Sequence, residues 1–197
     1  MMLGFCMPPI PNTHHGKPLM PCLSALQKAI RRGDAETAMQ FASELLHTSK
    51  AFFTAVCNRL EIISHEDVGV PEAILFVATC VEQAKRFHKP PPDIGPARLM
   101  IGNAIRFLCQ SRKTRAGTNF AAAIGLENLN GTVPEIPDYA YDMHTGEGRR
   151  GGRGMEHFLS ELKMTKEIPL TAADRRYRDR AIAQWELRRQ QQGLRTR

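Results

Sequence analysis

The chain has 197 residues, 42% hydrophobic and 24% charged, which is enough apolar side chain for one core and too ordinary a balance for a wholly disordered chain. Lys and Arg number 27 against 20 Asp and Glu, a net charge of +7. That excess points to an acidic partner, nucleic acid or a negative protein face, and carries no information about fold. No stretch reaches 18 uninterrupted apolar residues, so a transmembrane helix is not expected.

The start, MMLGFCMPPIPNTHHGKP, has neither the basic block nor the apolar block of a secretory signal. Pro8, Pro9, Pro11 and Pro18 around His14 and His15 make residues 1–20 read as an extended arm. Cys6, His14 and His15 match no metal-ligand spacing, so a solvated arm and no metal are expected there. The five cysteines (Cys6, Cys22, Cys57, Cys80, Cys109) are odd in number, far apart and never form CxxC. A disulfide scaffold and a zinc ribbon are therefore excluded, and buried free thiols in a reducing, cytoplasmic setting are expected.

Residues 21–129 read as a run of helices. PCLSALQKAIRR puts Leu23, Leu26, Ala29 and Ile30 on one stripe and ends in Arg31 and Arg32, which favour the negative helix end. Gly33 breaks it, and Asp34 is a natural N-cap for AETAMQFASELLHTS. KAFFTAVCNRLEIIS carries Phe52, Val56, Leu60 and Ile63, followed by the polar break His65, Glu66, Asp67 and Gly69. That break reads as a helix C-terminus followed by a cap, not as an acid/base or metal site. Pro71 suits the first turn of PEAILFVATCVEQAKRFH, and Pro90, Pro91 and Pro92 stop it. ARLMIGNAIRFLCQS sends Leu99, Ile101, Ile105 and Leu108 towards the core, Ser111, Arg112 and Lys113 break the run, and TRAGTNFAAAIGLENL is a sixth helix containing two glycines. The fold class expected is all-α, a bundle of helical hairpins with short connections.

Residues 130–170 are rich in glycine and proline without sustained periodicity, a long loop segment. Residues 171–197 form a basic C-terminal helix and tail, with eight arginines against Asp174, Asp179 and Glu186. Most of the excess charge therefore sits in this one stretch.

SALQKAIRRGDAETAMQFASELL followed by FFTAVCNRLEIISHEDVGVPEAI resembles the post-ATPase helical region of the replication-associated recombination protein A family, AAA+ proteins related to the Werner helicase-interacting ATPase. The matching positions are Ser24, Ala25, Lys28, Gly33, Asp34, Ala38, Arg59, Leu60, Ser64, Glu66, Asp67, Val68 and Gly69. IGNAIRFLCQSRKTRAGTNFAAAI is similar to the family's Ala-rich helix pair, with Ser111, Arg112 and Lys113 at its turn. The resemblance covers residues 22–129. It implies a helical bundle similar to a clamp-loader collar, and a module that oligomerises and engages replication-fork DNA or a partner ATPase. The sequence has no GxxxxGK[ST] loop and no acidic Walker-B strand, so ATP hydrolysis is not expected of it and no cofactor is implied.

The segment from Pro137 to Glu161 concentrates the remaining chemistry. Arg149, Arg150 and Arg153 offer planar forks for phosphate, and Tyr141 and Phe158 offer rings on which bases stack. Arg175, Arg176, Arg178, Arg180, Arg188 and Arg189 extend the same phosphate-binding expectation along the last helix. A structural alternative is a strap in which Asp142 and Glu156 pair with the arginines and His144 and His157 bond backbone groups. A third reading, from a different class, makes Asp142, His144 and His157 a hydrolase or phosphotransfer site. The function expected is a non-catalytic DNA- or replisome-associated module of replication, recombination and repair. It would bind single-stranded or forked DNA, a separate replication ATPase, or both, and form a homo-oligomer. The alternative is a protein-only oligomerisation scaffold.

Overall fold

The computed structural model describes residues 12–162, 169 and 171–195, with backbone alone at 178, 185–189 and 191–195. Among the described residues nine α-helices follow in order: α1 (Leu19–Arg32), α2 (Ala35–Leu46), α3 (Lys50–Ile63), α4 (Pro71–Phe87), α5 (Ala97–Gln110), α6 (Ala116–Leu129), α7 (Gly146–Arg150), α8 (Met155–Ser160) and α9 (Ala172–Arg195). A π-helical turn, Ser64–Val68, follows α3, and a 3-10 turn spans Asp138–Ala140. The described residues contain no strand, and the fold is all-α. The chain divides into two compact units, residues 1–133 and 134–197.

In the first unit, α1 packs on α2, α4 packs on α5, and α3 touches all four. The boundaries follow from local chemistry. The Asp34 carboxylate accepts the Thr37 backbone N–H at 3.0 Å and starts α2. Pro71 sits in the first turn of α4, where its missing N–H has no intrahelical role. α1 begins at Leu19, ahead of the expected Pro21, because a proline in the first turn is likewise tolerated. Lys113 closes α5: its ammonium donates to the carbonyls of Leu108 (2.7 Å), Cys109 (3.1 Å) and Ser111 (2.7 Å), groups that the last helical turn leaves unpaired.

The core is aliphatic, with Leu26, Ile30, Leu45, Leu46, Val56, Leu60, Ile63, Val68, Val77, Ile101, Ile105 and Leu108 fully buried. Each such side chain contributes about 1.5–3 kcal/mol relative to exposure. Cys22, Cys57, Cys80 and Cys109 are buried free thiols, and burial pushes the Cys57 thiol up to about 12. Cys6 lies outside the described residues.

One core expectation fails. Leu99 is 66% exposed, whereas Ile101, Ile105 and Leu108 are buried. At 100° per residue, position 99 points almost opposite to 101, so the two cannot share a face.

In the second unit the glycine-rich segment is not loop throughout, since α7 and α8 are short helices within it. No described helix is long and apolar enough to cross a membrane.

Candidate functional site

The loop from Pro137 to Glu161 is organised by Arg153. One guanidinium nitrogen donates to the carbonyls of Asp138 (2.6 Å) and Tyr141 (2.7 Å), and the other pairs with the Asp138 carboxylate. Glycine permits the next contact: a Cβ at Gly148 would meet the Asp142 backbone at 2.0 Å, so no side chain fits there. Thr145 caps α7 by accepting the Gly148 N–H at 3.0 Å, and its hydroxyl donates to the Asp142 carbonyl at 3.0 Å. The Asp142 carboxylate accepts the His144 backbone N–H at 2.9 Å, which makes it a turn-forming group. The His144 ring stands edge-on to Phe158 with centroids 5.3 Å apart.

The expected pairing of Asp142 and Glu156 with the arginines is replaced by other partners. Asp138 holds Arg153, and Glu147 holds Arg150 at 3.0 Å. Arg149 reaches towards the His144 carbonyl at 3.5 Å and is exposed. Asp142, His144 and His157 do not gather into a group that could share an ion. His157 Nδ1 is buried without a hydrogen-bond partner, and Phe158 is half-buried against His144.

The basic helix α9 begins with a reciprocal cap. Thr171 N–H donates to the Asp174 carboxylate at 3.1 Å, and Asp174 N–H donates to the Thr171 hydroxyl at 3.2 Å. Arg175, Arg176, Tyr177 and Arg180 are exposed, with the Arg180 guanidinium over the Tyr177 ring at 5.9 Å. The side chains of Arg178, Arg188 and Arg189 lie outside the described residues.

A second surface emerges on α6, which sequence reading passed over. Its sequence, AGTNFAAAIGLENL, has one charged residue, Glu127, and apolar residues around its whole circumference. A helix of that kind is normally buried. Here none of its 14 residues is buried, and Phe120 is 71% and Leu129 82% exposed. Only its start is fixed. The Thr114 N–H donates to the Asp67 carbonyl (3.0 Å), the Thr118 hydroxyl donates to the Glu66 carbonyl (3.1 Å), and Arg115 pairs with Glu66 (3.1 Å).

That anchor belongs to a buried polar hub that the sequence also concealed. The Asp67 side chain is 1% exposed. It receives Arg31 Nε (3.0 Å) and Gln27 Nε2 (2.9 Å), with Arg115 at 3.6 Å. Arg59 in turn donates to the Gln27 side-chain oxygen Oε1 at 3.1 Å. The break after α3 is thus more than a cap: its acids tie α1, α3 and α6 together. Gly69 ends the π turn with φ +66, and a Cβ there would lie 3.0 Å from Thr114 Cγ2.

The sequence gives a weak signal for α6, since an apolar run with a single charge is visible in it. It gives none for the hub, nor for the pairing of His15 with Glu44 at 2.8 Å across 29 residues.

The chain matches no family model. It spans about a third of the curated relative that it matches, and its helical architecture agrees with the resemblance carried by Ser24–Gly69. This relative is replication-associated recombination protein A of Bacillus subtilis (strain 168), to which the chain is similar with 29% identity over 138 residues, 68% of this chain and 31% of the relative.

Proposed function

We propose that the chain is a helical association module in replication-associated recombination. In this reading its first unit pairs with a second copy through α6. The observation that carries the proposal is the mismatch on α6, apolar all round yet with no residue buried. Burying Phe120 and Ile124, one turn apart on the same face, at a contact would contribute about 1.5–3 kcal/mol each. The fixed first turn favours this, because a helix already held in place loses little entropy on docking. Small residues support it as well: Gly117, Ala121 and Gly125 recur at four-residue spacing and let a second helix approach closely. The test is sedimentation velocity of the wild-type chain beside the double variant Phe120→Asp, Ile124→Asp. Since neither residue is in the core, the variant should keep its helical circular dichroism and sediment as a monomer while the wild type does not. Equal sedimentation of the two would refute the reading.

The exposed arginines of α9 favour a second role, contact with DNA phosphate alongside self-association. The name of the B. subtilis relative supports the same setting. Arg176 and Arg180 are exposed, and phosphate contact is the simplest use of such a helix. Arg149 and Arg150 would add to the same surface charge. The hydrolase or phosphotransfer reading has no such support, since Asp142 is engaged in a turn.

A further inference from the structure

The described residues ahead of α1, 12–18, pack against α2. Thr13 is buried, its hydroxyl donates to the Glu44 carboxylate, and its backbone closes a tight turn through Gly16 and Lys17. The turn sets two consecutive imidazoles over one carboxylate. His15 Nδ1 lies 2.8 Å from Glu44 Oε2, and His14 Nε2 lies 4.0 Å from the same oxygen. One ligand atom from each of His14, His15 and Glu44 falls within 4.8 Å of the others. Among the described residues no other trio of His, Cys, Asp or Glu meets that condition.

We propose that His14, His15 and Glu44 form a divalent transition-metal site, with Zn2+ as the ion that best fits the ligands. Two imidazole nitrogens and one carboxylate oxygen are the donor set of open zinc sites. Tetrahedral Zn2+ with ligands at about 2.0–2.2 Å needs them roughly 3.3–3.5 Å apart, so small side-chain rotations bring the trio to that spacing. Glu44 is suited to the task because the buried Thr13 already holds its carboxylate in place. The Thr13 bond also orients the carboxylate as an outer partner of a metal ligand does.

A fourth ligand has a source on the same wall. His47 lines the same cavity as His14, His15 and Glu44. Its Nδ1 is 2.8 Å from the Ser43 carbonyl and donates to it, leaving Nε2 as the acceptor nitrogen. Either that nitrogen or a water would complete the shell. The site lies between the turn ahead of α1 and α2 and draws on neither α6 nor α9, so it stands apart from the function proposed above. Because such a metal would tie residues 13–15 to α2, the site would pin the start of the chain to the bundle.

The test uses the full, tag-free chain carrying Cys6→Ser, which removes the one cysteine not described as buried. Isothermal titration with Zn2+ should show one ion per chain at micromolar or tighter affinity, and Zn2+ should raise the melting temperature reversibly on chelation. His15→Ala and Glu44→Gln should each weaken binding at least tenfold, and His47→Ala by less. His65→Ala, exposed in the π turn and outside the trio, should leave it unchanged. Glutamine at 44 still accepts the Thr13 hydroxyl, so circular dichroism of that variant distinguishes lost ligation from lost folding. Absence of binding in the Cys6→Ser chain, or binding indifferent to His15→Ala and Glu44→Gln in folded protein, would overturn the assignment.

Discussion

Asp67 is where a single side chain bears most on the structure. A carboxylate so deeply buried is stable only because Arg31, Gln27 and Arg115 surround it; without them, desolvation would outweigh any gain. An amide at this position removes the charge that Arg31 bonds and places an NH2 donor in a site surrounded by donors. Asp67→Asn should therefore destabilise the first unit by about 1.5–3 kcal/mol, read as a lower midpoint in urea. His88 behaves differently. Its ring packs on Phe53 at 4.0 Å and its Nε2 is buried without a partner. Burial first, and then Lys50, push its imidazolium below the ordinary value of 6.5. A depressed histidine favours the folded state while neutral, so its contribution is whole above pH 6.5 and is lost as pH falls through the folded-state value. Melting between pH 7 and pH 5 should show a loss of stability that His88→Phe reduces. Neither residue's role was legible in the sequence, because their partners lie in other helices: Gln27 and Arg31 are 40 and 36 residues from Asp67.

At the level of elements, α1 to α5 were legible because each buries one stripe of a 3.6-residue repeat. Asp34 and Pro71 stand where they were expected. Leu99 marks the limit of such reading, since hydrophobicity alone does not place a residue when its angle on the helix opposes the stripe. The same reasoning in reverse explains why α6 was undervalued. An apolar helix is ordinarily assigned to the core, and only the structure leaves all 14 of its residues unburied. In the second unit, clustered arginines and glycines were visible, but their use was not. Arg153 is engaged with Asp138 and Tyr141 inside the loop, whereas Arg150 is exposed beside Glu147. Which arginine organises the loop depends on where the backbone carbonyls of Asp138 and Tyr141 lie, and composition does not report that.

At the scale of the whole molecule, each unit presents one helix of unusual surface. The first unit holds the aliphatic core and the bare α6, and α9 presents exposed arginines. If α9 contacts phosphate, binding to single-stranded DNA weakens with salt in proportion to the contacts made. Arg176→Ala with Arg180→Ala should then lower the slope of log affinity against log salt by about 1.4, roughly 0.7 per lost contact. An unchanged slope would place the DNA surface elsewhere. Self-association rests on α6, a helix whose composition and surroundings disagree. Static light scattering of the wild-type chain across a dilution series is the most direct measure of it. A mass of at least twice 22.1 kDa at high micromolar concentration, falling towards the monomer on dilution, is the predicted result. A constant monomer mass throughout would contradict it.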